Sequence, residues 1–247
     1  MVLTWLLARV KFTVGLERFE ETVPVPDGSA RPRDLVKTAQ ALAESIVARA
    51  VQSAEANGQA ISCRKGCGAC CRQVVPVSQP EARQIAALVA SLPSERRSVI
   101  ETRFAAARER LALTDLPRRM AHAEDLGDAD RQALAVDYFR QGIACPFLED
   151  ESCSIYEDRP LVCREYLVTT PAANCARPTV EAVTRIKLPA RISLALGQLE
   201  PTSSERGVWW LPLVDAPAWA ADHPEEPPTR PAFDVLRDLL GWLKRTA

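Results

Sequence analysis

Apolar residues recur three to four positions apart between Arg33 and Asn57. Leu35, Ala39, Leu42, Ile46, Ala50 and Ala54 share one face, and Asn57-Gly58 supplies a stop. This pattern predicts an amphipathic helix. Ahead of it, residues 1–32 read as a short apolar, strand-like lead and then a linker bearing Pro24, Pro26 and Pro32. Beyond it, Ser78-Gln-Pro-Glu81 has capping-box spacing with proline in the first turn, and Ile85, Leu88 and Val89 continue the helix it starts. Pro93-Ser94 restarts the pattern with Val99, Ile100, Phe104, Ala107 and Leu111. A third run, about Asp128 to Gln141, carries Leu134, Val136 and Phe139 and stops at Gly142. Glu81, Arg83, Glu95, Arg96, Glu101 and Arg108 are expected on a solvated face of these helices.

The helical period then gives way. Phe147-Leu148 and Ser154-Ile155-Tyr156 flank an acidic, turn-like Glu149-Asp-Glu-Ser152, which predicts a short hairpin. Pro160 fits the first turn of a helix carrying Cys163. The tail holds Trp209, Trp210, Trp219 and Trp242, a Pro-rich stretch at 212–231, and an amphipathic terminal helix with Phe233, Leu236, Leu239, Leu240 and Leu243. The Trp209-Trp210 pair is expected to cover a core edge rather than line a ligand groove. No internal repeat is present.

Composition narrows the classes. In 247 residues, 47% hydrophobic and 26% charged positions support a core and exclude wholesale disorder. Thirty-one Lys+Arg against thirty-two Asp+Glu leave a net charge of -1, so no global field draws the chain to nucleic acid or an anionic membrane. No run approaches the roughly eighteen apolar residues of a membrane helix. The apolar Met1–Ala8 segment lacks the basic stretch and cleavage site of a signal peptide, so a cytoplasmic chain with reduced thiols is expected. Of two His, His122 is expected to be solvated or capping, and Asp125, Asp128 and Asp130 fall at a helix start where acidic residues are ordinary.

The chemistry lies in eight cysteines: Cys63, Cys67, Cys70, Cys71, Cys145, Cys153, Cys163 and Cys175. Thiolates are soft ligands for zinc, iron and iron–sulfur clusters. Cys67-x-x-Cys70 is a two-point chelate, Gly66 and Gly68 permit a tight turn around it, and Cys63 can add a third ligand. Adjacent Cys70 and Cys71 point to two metals, a polynuclear cluster, or one ligand beside a free thiol. Eight thiolates suit two four-thiolate sites, whose excess charge Arg64, Lys65, Arg72, Arg159 and Arg164 stand close enough in sequence to offset. The spacing Cys63-x3-Cys67-x2-Cys70 also occurs in radical enzymes that use S-adenosylmethionine. Here Ala69 stands where those enzymes often carry an aromatic residue, and no strand–helix series follows. A thioredoxin-like redox site would need a βαβ setting that is missing.

These residues resemble the bacterial YkgJ-type cysteine-cluster family with a CxxCxxCC signature, described as zinc- or iron-chelating. The likeness rests on Cys63, Cys67, Cys70-Cys71, Cys145-Pro-Phe-Leu, Cys153-x-Ile-Tyr156, Arg159-Pro160 and Cys163-Arg164, over roughly residues 60 to 170. The first gap is three residues rather than two, and Cys175 falls outside the carried motif. The resemblance implies a metal site of Cys63, Cys67, Cys70, Cys71, Cys145, Cys153 and Cys163. Tyr156, Arg159 and Arg164 would fix it or balance its charge. A flagellin lysine N-methylase carries a similar cluster, which keeps a cluster-dependent methyltransferase as the alternative to a metal-binding protein. The expected fold is α+β and mainly helical: a small cysteine-rich metal-binding core with a short hairpin, packed by amphipathic helices. Its expected parts are an N-terminal segment and helix (1–58), the cysteine-cluster domain (59–178) and a Trp/Pro-rich extension with a terminal helix (179–247). The expected cofactor is zinc or iron, or an iron–sulfur cluster. The expected partner is the metal ion, with no nucleic acid and no membrane; any protein partner is left open.

Overall fold

A computed structural model of the chain describes residues 3–177, 179, 183–200 and 210–245. It begins with an antiparallel hairpin of β1 (Trp5–Val14) and β2 (Glu17–Pro26), paired from Trp5↔Pro26 to Val14↔Glu17. The expected linker is therefore a strand. Phe19, Val23 and Val25 alternate inward along it, and a two-stranded hairpin leaves every second N–H unpaired, so Pro24 and Pro26, two apart, can both occupy such positions. After β3 (Ser29–Ala30) and a 3-10 turn at Pro32–Leu35, α1 (Val36–Ala56) follows the predicted period and ends at Asn57.

Next come β4 (Pro76–Val77), α2 (Gln79–Ser91), α3 (Ser94–Ala112), α4 (Leu116–Met120) and α5 (Asp128–Arg140). The predicted hairpin is β5 (Leu148–Glu149) and β6 (Ser152–Cys153), followed by α6 (Leu161–Glu165), α7 (Ala172–Cys175) and α8 (Ile192–Gly197). Last are β7 (Leu211–Pro212), which pairs with β4, α9 (Ala216–Asp222), β8 (Arg230–Pro231), which pairs with β3, and α10 (Ala232–Arg245). The architecture is mainly helical α+β, as expected. Among the described residues no helix is long and apolar enough to cross a membrane.

Three apolar clusters hold these elements. In the first, the inner face of the hairpin packs Val10, Phe12, Val14 and Phe19 against Leu42 and Ile46 of α1, Leu196 of α8, and Leu236, Leu239 and Leu243 of α10. Phe12 and Phe19 stack at 4.9 Å. The two ends of the chain thus share one core. The second joins Ile85 and Val89 of α2 and Phe104 of α3 to Phe147 and Ile155 beside the short hairpin, with Phe104 meeting Phe147 edge-on at 5.4 Å. The third gathers Leu111, Leu116, Met120, Leu134, Tyr138 and Val214, with Trp210 half-buried at its edge; Trp209 lies outside the described residues.

Two residues expected on a solvated face are instead buried, Glu81 at 2% exposure and Arg83 at 6%. Partners distant in sequence draw them in. One oxygen of Glu81 accepts the backbone N–H (3.1 Å) and the hydroxyl (2.9 Å) of Ser78, which closes the predicted capping box. Its other oxygen accepts the Leu161 N–H at 2.8 Å, so α2 satisfies an orphan donor at the start of the helix that carries Cys163. Arg83 donates to the carbonyls of His223 and Glu225, the latter at 2.8 Å, and lies 4.9 Å from the Trp219 ring centre and 3.8 Å from Glu200. Glu95, Glu101 and Arg108 are exposed as expected, whereas half-buried Arg96 pairs with Glu149.

Burial raises the Glu200 carboxyl to about 7, against the pull of Arg83 and helped by Glu226. Folding therefore takes up a proton between the ordinary value of 4.5 and about 7, and stability falls as pH rises through that window. Glu165, also raised to about 7 by burial, contributes with the same sign. Glu200→Gln is expected to flatten the decline of Tm between about pH 5 and about pH 8 without abolishing it. An unchanged slope in thermal melts would reject this assignment.

Candidate metal centre

The first cysteine loop leaves α1 through Gly58 and is held by a few backbone contacts. Ser62 N donates to Val168 O at 2.9 Å, Cys71 N to Gly68 O at 2.9 Å, and Cys145 N to Cys71 O at 2.7 Å. Gly66 supports the predicted turn directly: its φ of +87° is a left-handed conformation that L side chains resist. Gly68 has a different reason from the one expected. A Cβ there would stand 2.6 Å from both Glu151 O and Leu148 Cδ1, because the loop presses its backbone onto the β5–β6 turn. That turn carries two consecutive positive-φ residues, Asp150 and Glu151, as a tight type I′ connection requires. Arg72 clamps it with two hydrogen bonds to the Glu151 carboxylate, at 2.6 and 3.0 Å.

All eight cysteines line one cavity of about 110 Å3. The first loop supplies Cys63, Cys67, Cys70 and Cys71. Cys145 precedes the short hairpin, β6 brings Cys153, α6 brings Cys163 and α7 brings Cys175. Every one is a free thiol. Cys63 Sγ accepts from Val168 N at 3.4 Å and lies 3.9 Å from Tyr166 O. Among the described residues no three Cys, His, Asp or Glu side chains meet the geometry for holding a metal ion as the chain stands. The thiols share a chamber, and a bound ion would have to draw them inward, as is usual when metal binding is coupled to folding.

Protonation shows what the chamber requires. Burial pushes Cys145 up to about 12, Cys175 to about 11 and Cys163 well above its usual value, and neighbouring thiolates push each further. Cys63 and Cys153 also rise through burial. Cys70 moves the other way, to about 7, because the Cys71 thiol donates a hydrogen bond to it; Cys71 holds its own proton correspondingly harder. Thiolates packed this densely repel one another, so the group can ionise together only around a cation. The donor set fits a soft or borderline metal.

The basic residues divide in a way that spacing did not reveal. Lys65 pairs with Glu157 at 3.0 Å and Arg72 with Glu151. Buried Arg164 donates to Glu44 and to the carbonyls of Glu157 and Arg159, bracing the segment that carries Cys163. Only Arg64 and Arg159 of the five line the cavity. The Arg159 guanidinium lies 4.1 Å from the ring centre of Tyr156, another wall residue, and it lowers Cys63, Cys70, Cys153 and Cys163 electrostatically. Its buried Nε has no hydrogen-bond partner among the described residues. A buried, unpaired N–H at the edge of a thiol chamber is a donor suited to an anionic sulfur. His122, Asp125, Asp128 and Asp130 do not line the cavity. Sequence reasoning left Cys175 without a role; its one signal was membership of the same cysteine-rich stretch.

Residues 62–182, just under half of the chain, match the CxxCxxCC family, described as a "putative zinc- or iron-chelating domain". The matched segment takes in all eight cysteines. No curated protein and no solved structure matches the chain.

Proposed function

Starting from the match of residues 62–182 to the CxxCxxCC family, we propose that the chain chelates zinc or iron through the thiols of its cysteine cavity. The observation that carries this reading is the convergence of all eight cysteines on one chamber. Cys63, Cys67, Cys70, Cys71, Cys145, Cys153 and Cys163 would hold the metal, and Cys175 joins them from α7. A chamber of about 110 Å3 lined by every cysteine would let the thiols act together on one centre or on two adjoining ones. Arg159 would donate to its sulfur, Tyr156 would hold that guanidinium in place, and Arg164 would fix the backbone behind both.

The test is metal and acid-labile sulfide content of chain purified without oxygen, with its visible spectrum. At least one zinc or iron per chain is expected, falling by about half or more in Cys67→Ser and Cys70→Ser because ligand loss weakens thiolate sites strongly. Equal metal in both variants and the parent would sink the assignment. The alternative, a cluster-dependent methyltransferase acting on protein lysine, requires iron with matching sulfide. Zinc in a colourless chain removes its premise.

A further inference from the structure

A second hollow, about 610 Å3, shares Tyr166 as a wall with the thiol cavity, and its chemistry plays no part in the metal reading. Three guanidinium groups line it: Arg131 of α5, Arg185, and Arg191 at the entry to α8. The lining holds a single carboxylate among the described residues, Asp128, which Arg131 already pairs at 3.2 Å. Arg185 and Arg191 have no carboxylate within ion-pairing distance among the described residues. Among the described lining residues, three positive side chains against one negative leave an excess of two charges facing the same space.

The arrangement is anchored. Arg185 forms a β-bridge with Val168, flanked by Thr169 N to Thr184 O and Ile186 N to Leu167 O, both 3.0 Å. Its guanidinium lies 6.0 Å from the Tyr166 ring centre, while Gln73 Nε2 donates to the Tyr166 hydroxyl at 3.4 Å. Two segments thus fix the tyrosine, and one of them fixes an arginine beside it. Glu165, whose charge Arg191 senses, uses both carboxylate oxygens on Ser193. Among the described residues neither arginine makes an ion-pair contact, and Glu165 acts on Arg191 only from a distance.

Guanidinium forks bind carboxylate and phosphate oxygens in pairs, and a hollow of this size lies within the roughly 300–1,000 Å3 usual for small-molecule sites. Like charges gathered around one space are relieved by an anion placed between them. We propose that this cleft binds a small polyanion, a compound bearing two or more carboxylate or phosphate groups, with Arg185 and Arg191 as its principal contacts and Arg131 reinforcing them. The inference stands on the cleft's own residues and holds whichever metal the thiols take.

The test is calorimetric titration of the full chain, as purified, with succinate and with fructose 1,6-bisphosphate at about 0.15 M salt, where unspecific surface attraction is screened. Neither probe is a strong chelator of a thiolate-bound metal. A Kd below about 1 mM is expected for at least one, weakened about 10-fold or more in Arg185→Gln/Arg191→Gln and partly restored in Arg185→Lys/Arg191→Lys. Tighter binding of the bisphosphate assigns phosphate ligands, and tighter binding of succinate assigns carboxylates. Arg118→Gln, an exposed arginine outside the cleft, is expected to leave binding unchanged. Absence of binding to both parent titrations, equal weakening by Arg118→Gln, or unweakened binding in the double glutamine variant would overturn the proposal.

Discussion

Removing the metal with a strong chelator is expected to melt the cysteine-bearing segment while the hairpin, α1 and α10 stay folded. Between Cys63 and Cys71 the only apolar side chain besides the thiols is that of Ala69, and it is half-buried. The loop contributes no side chain to any of the three apolar clusters. Its few backbone contacts are worth about 1 kcal/mol each, too little to offset the ordering of nine residues. Thiolate–metal binding supplies energy of the required size, on the order of 10 kcal/mol in small thiolate domains. Loss of even half of that would lower the melting temperature by about 10–20 °C in a chain of this length. The first cluster takes only Leu161 from residues 59–178, so it is expected to survive as a separate, later transition. Hydrogen exchange resolves the two parts. The amides of Cys67, Cys71 and Cys145 should lose protection on chelation, while those paired between β1 and β2 keep theirs. Confirmed metal loss with neither change would show that the fold does not depend on the site.

The parts legible in the sequence are those whose cause is local. The apolar period of α1, the capping box of α2 and the Pro93-Ser94 restart lie within a few residues of the structure they specify. The β5–β6 hairpin was legible for the same reason, because its strands flank their own turn. β2 was misread because proline marks loops in most settings, whereas a two-stranded hairpin offers it positions with no N–H to donate. Glu81 and Arg83 show the other limit. Helical charge patterning says which side chains share a face, but Leu161, Glu200 and His223, all distant in sequence, decide whether that face is covered. The same applies to the basic residues around the thiols: Lys65 and Arg72 looked available until Glu157 and Glu151 came into place. Cys175 was legible as a thiol and not as a neighbour of the other seven. Its position follows from α7 and from the Val168–Arg185 bridge, neither of which has a spacing signature.

Gly68→Ala is expected to destabilise the chain by about 3 kcal/mol, at the upper end of overpacking costs, and to lower its metal content at the same time. The added methyl would meet Glu151 O and Leu148 Cδ1 at 2.6 Å and the Glu151 carbonyl carbon at 2.7 Å. The leucine tip can rotate away. The carbonyl cannot move without unwinding a turn that already holds Asp150 and Glu151 at positive φ and is clamped by Arg72. The first loop must therefore lift off the second hairpin, which weakens the Cys145 N to Cys71 O hydrogen bond and carries Cys67 and Cys70 away from Cys153. Gly66→Ala provides the contrast. Nothing lies within 4 Å of its added carbon, and only the φ of +87° resists substitution, so a cost of about 1 kcal/mol with metal retained is expected. The paired measurement is Tm and metal per chain for both variants under identical purification. A Gly68→Ala chain no less stable than Gly66→Ala, with equal metal, would mean that the two cysteine clusters are not held together through this contact. A loss of metal specific to Gly68→Ala would show that backbone packing between the two halves, and not the thiols alone, sets the dimensions of the site.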